Sequence, residues 1–266
     1  MLELNNNLSF EVGAKYSQLI STPNVPFILG TGPQLPYIRQ GNFNVSIRWA
    51  PGEKFVQGRS HRHAVNMDPW IIKLTHEYGP KGLFGASYTT NVTEISLQKR
   101  LWFSAFGYMD VLAKAGKVWS TVYFPSLLWA NANLSYTIQP ESYSLMDPME
   151  FANDTYAALD LTYFGNGILF NRIPGINKLK LRECLTFKGL MGTLSNKNNP
   201  AYNKDILKFP VEAHAQKMKT TPYMEVGVGI DNILTVLRVD YVWRLTYRDV
   251  PGVDHSGVRI SLHFNL

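Results

Sequence analysis

At most positions, residues 235–247 alternate between apolar and polar side chains. The odd positions carry mostly large apolar or aromatic residues, whereas the even positions include Arg238, Asp240 and Arg244. Because successive side chains of a β-strand point to opposite sides, a period of two gives this strand one apolar face and one polar face. The segment is longer than the usual strand of about 5 or 6 residues. It predicts a strand that can cross a bilayer, which takes about 9–11 tilted residues.

The same alternation recurs along the chain and predicts ten strands. Aromatic residues on the apolar faces suit the interfacial girdles of a membrane barrel, with Trp102 and Trp119 as candidate anchors, and charged residues on the other faces suit a wet lumen. We therefore predict an all-β fold: one domain over residues 1–266, forming an antiparallel transmembrane β-barrel of about ten strands or a part of a larger barrel. The predicted strands are 8–16, 43–49, 70–78, 91–104, 108–119, 157–163, 178–188, 223–230, 235–247 and 258–266.

Composition narrows the class of protein. Charged residues make up 17% and aromatic residues 13% of the chain, which excludes disorder and coiled coils. The mean hydropathy of −0.13 and the lack of a run of 18 apolar residues exclude a membrane-spanning helix. A single cysteine, Cys184, excludes an intramolecular disulfide framework. The net charge of +6 does not indicate nucleic-acid binding, because the basic residues lie singly on alternating strands.

The segments between the predicted strands indicate how the chain is oriented. The connection between the eighth and ninth strands is short, whereas the connections before the sixth and the eighth are long. Outer-membrane barrels have short periplasmic turns and long outer loops, so the C-terminus is predicted to be periplasmic. The chain starts without the basic and apolar regions of a signal peptide. Since a barrel must be exported, we expect the chain to be the C-terminal part of a longer protein.

The predicted polar faces of the last four strands carry an excess of positive charge. Seven cations oppose two acids, Glu225 and Asp240, so the excess is five. Such a surplus in a low-dielectric wall raises the local concentration of anions, which makes an anion-preferring lumen one interpretation. The alternative is that the cations pair with carboxylates on other strands or on a loop packed inside. The predicted lumen-lining cations are Lys178, Lys180, Arg182, Lys188, Arg238, Arg244 and Arg259.

Candidate catalytic and metal-binding residues are few. Ser60, His61 and His63 invite a hydrolase hypothesis, but the spacing supplies no carboxylate to orient the imidazole and no third metal ligand. Asp147, Glu150 and Asp154 could hold Ca²⁺, although they lack a glycine-spaced loop, and are otherwise expected to pair with lumen arginines. We predict no catalytic residue, no metal and no cofactor.

Two features of the predicted walls have structural explanations. Gly227-Val228-Gly229 lacks the strand-turn-helix setting of a dinucleotide site, so its glycines are expected to let a neighbouring side chain approach the wall. Cys184 is expected to point inward as a spectator.

Several blocks between Leu97 and Leu266 resemble a Bacteroidota outer-membrane family of unassigned function. The resemblance implies an outer-membrane location and a C-terminal β-barrel, which members usually carry after an exported carboxypeptidase-regulatory-like domain. It implies no reaction. The resembling blocks are YTIQPESYSLM (136–146), MEFAND (149–154), FNRIP (170–174), KLKLRE (178–183), GTLSNKN (192–198) and the tail 222–264.

The sequence thus predicts an integral outer-membrane barrel that is not an enzyme and serves transport, surface binding or envelope assembly. Its expected partners are outer-membrane lipid, lipopolysaccharide and the barrel-assembly machinery, and no nucleic acid. The alternatives are an outer-membrane barrel hydrolase and a soluble periplasmic β-barrel that binds a ligand.

Overall fold

The chain folds into β-strands joined by loops and short 3-10 turns. The computed structural model describes residues 2–4, 7–58, 62–66 and 68–262. The described 3-10 turns are Leu83–Gly85, Ser104–Phe106, Phe124–Ser126, Phe170–Arg172, Ile176–Leu179, Asn196–Asn198 and Val211–Ala213. The described strands are β1 (Leu2–Leu4), β2 (Leu8–Ile20), β3 (Phe27–Ile28), β4 (Gln34–Leu35), β5 (Tyr37–Trp49), β6 (Phe55–Gln57), β7 (Arg62–Ala64), β8 (Ile71–Gly79), β9 (Thr90–Trp102), β10 (Tyr108–Val118), β11 (Thr155–Phe164), β12 (Arg182–Thr193), β13 (Tyr223–Ile233), β14 (Leu237–Arg244) and β15 (Ser256–Leu262).

One large sheet contains most of these strands. It has 11 strands in the order β1-β2-β5-β8-β9-β10-β11-β12-β13-β14-β15. Every neighbouring pair is antiparallel, so each strand returns beside the one before it. The all-β antiparallel prediction is confirmed. The pairs β3–β4 and β6–β7 form two small separate hairpins inside connections, and sequence analysis did not predict them.

The ten predicted strands all have a counterpart in the large sheet, with errors at their ends. Residues 178–181 were predicted to be extended, which is wrong: Ile176–Leu179 is a 3-10 turn and Lys180 has a left-handed φ of 50°. The segment predicted as 235–247 is extended over Leu237–Arg244, because positive φ angles at Thr235 and Tyr247 interrupt it. β12 continues into the predicted loop as far as Thr193. The predicted end of the last strand, 263–266, lies outside the described residues.

The two faces of the sheet have reversed burial compared with a soluble protein. On β14 the apolar residues Tyr241 and Trp243 are 41% and 39% exposed, whereas Arg238 and Arg244 are 6% and 1% exposed. The same holds on β13, where Val228 is 49% and Glu225 is 2% exposed. We call the face that carries Glu225 and Arg244 the inner face and the face that carries Val228 and Tyr241 the outer face.

The connections fall at two ends of the sheet, since consecutive strands run in opposite directions. Residues 21–36, 80–89, 119–154, 194–222 and 245–255 lie at one end, the loop end. Residues 50–70, 103–107, 165–181 and 234–236 lie at the other, the turn end. The two longest connections share the loop end, as predicted. The connections 50–70 and 165–181 are longer than the short turns predicted for their end, whereas 103–107 and 234–236 are short.

Loops from distant parts of the sequence pack together at the loop end. Leu29 and Leu207 form an isolated antiparallel bridge, and the amide of Gly30 donates to the carbonyl of Ile206 at 3.0 Å. An apolar cluster joins these loops, and its buried members include Phe27, Ile38, Tyr88, Val92, Val118, Val122, Phe124, Leu127, Ala152, Leu194 and Leu207. Burial of this apolar surface stabilises the loop end as a packed cap.

The edges of the large sheet do not meet in the described part of the chain. β1 pairs with the start of β2, from Leu8 to Phe10, and no ladder joins β2 to β15 among the described residues. The sheet is therefore open there, and closure into a barrel stays a prediction.

Candidate functional site

A loop covers the inner face of the last strands. This inserted loop, residues 131–150, belongs to the long connection between β10 and β11. Tyr143, Leu145 and Met146 are buried, at 5%, 4% and 4% exposure. Tyr143 donates its hydroxyl hydrogen to the carbonyl of Gly189 on β12 at 3.1 Å. The apolar part of the loop is thus packed against the sheet wall.

Glu225 of β13 holds the backbone of the inserted loop. Its carboxylate accepts hydrogen bonds from the amides of Ser144 at 2.9 Å and Leu145 at 2.7 Å. It also accepts one from the Tyr223 hydroxyl at 2.6 Å. Because a buried carboxylate without donors is costly, these three bonds let Glu225 stay buried on the wall.

Arg244 of β14 binds the same loop through a buried ion pair. Its guanidinium donates to both carboxylate oxygens of Glu150, one of them at 3.0 Å, and to the carbonyl of Leu145 at 3.0 Å. The Tyr247 carbonyl accepts another bond at 2.9 Å, and the Tyr223 ring lies 4.8 Å from the guanidinium carbon. Glu150 thus pairs with a predicted lumen arginine, which was the alternative to a calcium site.

Two further predicted cations bind carbonyl oxygens of the inserted loop. Lys188 donates to the carbonyl of Ser142 at 2.5 Å, and Arg259 donates to the carbonyl of Ser144. With Glu225 and Arg244, four wall residues on four neighbouring strands therefore hold residues 142–150 of the loop. The second interpretation from the sequence was pairing with carboxylates on other strands or on a loop packed inside. Arg244 does pair with a carboxylate of the inserted loop, whereas Lys188 and Arg259 bind carbonyl oxygens of that loop.

Arg238 pairs within its own strand. Its guanidinium donates two bonds to the carboxylate of Asp240, one of them at 2.8 Å, and lies 5.1 Å from the Phe164 ring centre. Gly229 faces this pair across the β13–β14 ladder, and a Cβ at Gly229 would collide with the Asp240 carboxylate. This confirms the expectation that the glycines of 227–229 admit a neighbouring side chain.

The predicted set of lumen cations needs a correction at its start. Lys178 and Lys180 are exposed and precede β12, because the chain there turns in a 3-10 helix instead of extending. Arg182 is the first residue of β12, opposite Asp231. Cys184 points to the inner face as predicted and is fully buried.

A cavity of about 490 Å³ lies beside the inserted loop on the inner face. Its wall includes Arg100 and Asp110, Lys188 and Asp160, and Arg238 with Asp240. Arg100 also donates to both carboxylate oxygens of Asp110, at 2.6 and 2.8 Å. The lining residues comprise four cations and six acids, so the predicted excess of five positive charges is absent from this described cavity. Four of the six acids lie outside the last four strands: Glu53, Asp110, Glu141 and Asp160.

Among the described residues, the other candidate ligands are not brought together. Ser60 and His61 lie outside the described residues, and His63 belongs to the small strand β7. Asp147 is exposed, while Asp154 is buried and accepts bonds from the Ser195 amide at 3.0 Å and the Asn198 side chain at 3.1 Å. Within the described ranges, no three His, Cys, Asp or Glu side chains are grouped to hold a metal ion. No helix in the part of the chain that the structure describes is long and apolar enough to cross a membrane.

Two buried tyrosines in the loops have altered acidity. Burial raises the pKa of Tyr88 to about 12. The hydrogen bond with the Ser126 hydroxyl, at 2.9 Å, lowers the pKa but by less. Burial also raises the pKa of Tyr143 above its usual range. Both phenols thus stay neutral further into the alkaline range than an exposed tyrosine, and both act as hydrogen-bonding residues in the packed loops.

Sequence reasoning missed the part that the loop backbone plays. The Ser144 and Leu145 amides and the Ser142 and Ser144 carbonyls carry most of the contacts, and backbone groups leave no signature in residue identity. Glu225 was recognised only as one of two acids on the polar face. Its position opposite Arg244 and Lys188 in the two ladders could have indicated a charged cluster, but not the loop that fills it.

Comparison with known proteins gives a family but no activity. No curated protein sequence matches this chain significantly. The model for "Family of unknown function (DUF5686) C-terminal domain" matches residues 2–203. The match includes the N-terminal strands and the resembling blocks between residues 136 and 198, and it ends before the resembling tail 222–264. The chain therefore belongs to the family of the DUF5686 C-terminal domain, whose function is unknown.

Proposed function

We propose that this protein is an integral β-barrel of the bacterial outer membrane, without catalytic activity, whose lumen is occupied by its own inserted loop. It serves transport, surface binding or envelope assembly. Its partners are outer-membrane lipid, lipopolysaccharide and the barrel-assembly machinery. The loop end faces outward and the turn end and the C-terminus face the periplasm.

The observation that carries this proposal is the reversed burial of the two faces. Tyr241 and Trp243 are exposed on the outer face while Arg238, Asp240 and Arg244 of the same strand are buried. In water, exposing long rows of apolar side chains is unfavourable and invites aggregation. In a bilayer, apolar side chains on the outer face meet lipid and charged side chains on the inner face are expected. The pattern is therefore favourable in a membrane and unfavourable in water.

The length of the strands and the position of the tryptophans support a membrane span. β10 has 11 residues, or about 36 Å at about 3.3 Å per residue. A tilt of about 45° reduces this to about 25 Å across the membrane, the height of the apolar band of such barrels. Trp102 ends the preceding strand β9 at the turn end, and Trp119 follows β10 at the loop end. Their side chains are 58% and 52% exposed, as expected of aromatic anchors at the two interfaces.

The inserted loop argues against a permanently open pore. Four wall residues hold it, and the cavity beside it has more acids than cations on its lining. A plugged lumen suits gated transport or ligand binding at the surface. It does not suit passive passage of anions.

Extraction of the protein from membranes tests the proposal. The chain is expressed behind a signal peptide in a Gram-negative host, and outer membranes are washed with sodium carbonate. We expect the protein to stay in the pellet, to require detergent for solubilisation, and to migrate faster on a gel when it has not been boiled. A monodisperse monomer in detergent-free buffer would overturn the membrane assignment and favour the soluble periplasmic ligand binder.

A further inference from the structure

The inserted loop pairs with the edge of β15 that faces away from β14. The Ile260 amide donates to the carbonyl of Tyr136 at 2.8 Å, and the amide of Ile138 donates to the carbonyl of Ile260 at 2.8 Å. Thr137 and Ile260 are partners in an isolated parallel bridge. Residues 134–138, which we call the strap, therefore extend the sheet by one short strand at this edge.

The strap occupies the position that a closing strand would take. Each residue of an edge strand directs its amide and carbonyl to one side only, so Ile260 can bond either the strap or another strand there. The first and last long strands, β2 and β15, run in opposite directions because an even number of long strands separates their ends. Pairing of β15 with β2 would be antiparallel, like every other ladder of the sheet, whereas the strap is parallel.

The edge of β2 is also available in the described residues. β1 pairs only with Leu8, Ser9 and Phe10, and residues 11–20 have no described partner on that side. Val12 and Tyr16 on the outer face are 73% and 55% exposed. In a bilayer, unpaired backbone groups on such an edge are strongly unfavourable.

The strap is held together locally and lightly attached at its side chains. The side chain of Asn133 donates to the carbonyl of Thr137 at 2.8 Å, and the amide of Thr137 donates to the hydroxyl of Ser135 at 3.2 Å. Leu134 and Tyr136 are 82% and 81% exposed. Apart from the cation-π contact of Arg259 with the Tyr136 ring at 6.0 Å, the attachment to β15 is thus mainly the two backbone bonds.

The residues that follow the strap form part of the cavity wall. Ile138, Gln139, Pro140 and Glu141 line the 490 Å³ cavity, and residues 142–150 are held by the wall residues described above. Removing the strap from β15 would consequently open this side of the cavity without releasing the rest of the inserted loop.

We propose that the strap and β2 compete for the edge of β15. The seam, by which we mean the pairing of β2 with β15 that would close the barrel, and the wall of the cavity then close alternately. With the strap on Ile260 the cavity is walled and the seam is open; with β2 on Ile260 the seam is closed and the cavity gains an entrance. This inference rests on the proposed membrane location, since the bilayer supplies the reason for closing the seam.

Disulfide trapping in outer membranes tests this competition. In a Cys184→Ala background, Thr137→Cys with Ile260→Cys reports the strap. Ile260→Cys with Val12→Cys, Ala14→Cys or Tyr16→Cys reports the seam. Three positions are used on β2 because the register of the seam is unknown. Under mild oxidation we expect the strap pair and at least one seam pair to crosslink.

A variant of the strap backbone gives the discriminating measurement. Ile138→Pro removes the amide that donates to Ile260, whereas Ile138→Ala keeps it. We expect Ile138→Pro to raise the ratio of seam to strap crosslinks about 2- to 10-fold, the effect of one net hydrogen bond, and Ile138→Ala to change it little. Absence of seam crosslinks at all three positions, or an unchanged ratio in Ile138→Pro, would overturn the inference.

A second measurement on the same membranes distinguishes a failure of the seam proposal from a failure of the proposed function. Carbonate extraction of each variant reports whether the protein is embedded, independently of the crosslinks. An extractable protein contradicts the proposed function, whereas an embedded protein with a strap that never exchanges contradicts only the seam.

Discussion

Replacing Val228 with arginine distinguishes a lipid-facing from a water-facing outer face. Val228 lies at the centre of β13 (Tyr223–Ile233) and is 49% exposed. Its ladder partners Leu185 and Tyr241 are 46% and 41% exposed and lie on the same face. An arginine at this position would therefore contact the centre of the bilayer if the outer face meets lipid, and water if it does not.

The cost of this arginine to the free energy of unfolding differs severalfold between the two environments. Arginine on the lipid face of a barrel costs about 2–4 kcal/mol at the bilayer midplane, which lowers the folding equilibrium constant about 30- to 900-fold. A surface substitution in water usually changes stability by less than about 0.5 kcal/mol. Val211→Arg is the matched control, because Val211 is 87% exposed in the connection 194–222.

Urea unfolding in phospholipid vesicles, followed by tryptophan fluorescence, measures both variants; the chain has six tryptophans. We expect Val228→Arg to lose about 2–4 kcal/mol of unfolding free energy and Val211→Arg to resemble the unmodified protein. Equal stabilities of the two variants within about 0.5 kcal/mol would refute the lipid-facing assignment of the outer face.

Three further substitutions test the inserted loop and the cap. Glu225→Gln removes the charge that accepts three hydrogen bonds and should cost about 1–3 kcal/mol in the same unfolding assay. The control is Glu141→Gln, which should cost less than about 1 kcal/mol because the ion pair of Glu141 with Lys114 is more exposed. Arg244→Gln leaves Glu150 buried without its partner, and it should cost about 3–5 kcal/mol and increase cleavage of the inserted loop by added protease. An inserted loop that stays intact in this variant would argue against the Arg244–Glu150 ion pair as its attachment. The pKa of Tyr88 is raised to about 12 in the folded protein, against an ordinary 10.0. Its contribution to the free energy of unfolding is therefore complete below pH 10 and is lost as pH rises through 12. Tyr88→Phe should therefore lack this alkaline loss in a pH series of unfolding midpoints.

The strands could be predicted because their alternation is physically required. A face that meets one environment along a whole strand must repeat every second residue, and segments such as 235–247 show this repeat at most of their positions. The errors occur where backbone conformation breaks the repeat. Lys180 and Tyr247 continue the pattern of side chains, but their positive φ angles end the extended chain. Side-chain periodicity alone does not report such angles.

The candidate site could be predicted only in part. The pattern indicated that Lys188, Arg238, Arg244 and Arg259 share one face, and the registers of the ladders place them on one face. It could not indicate their partners, because Glu150 lies 94 residues from Arg244 in the sequence and on a loop without periodicity. The balance of charge in the cavity was misjudged for the same reason: it depends on strands and loops that only the three-dimensional fold brings together.

The bridge between Leu29 and Leu207 has a consequence for handling the protein. Surface loops usually accept inserted epitopes or affinity tags, because few contacts depend on them. Here residues 27–29, in the connection between β2 and β5, bind residues 206–208, in the connection between β12 and β13. Leu29 and Leu207 are 178 positions apart in the sequence. An insertion at either of these two segments would break the contacts between them and destabilise the packed cap, so neither is suited to carry a tag for surface detection.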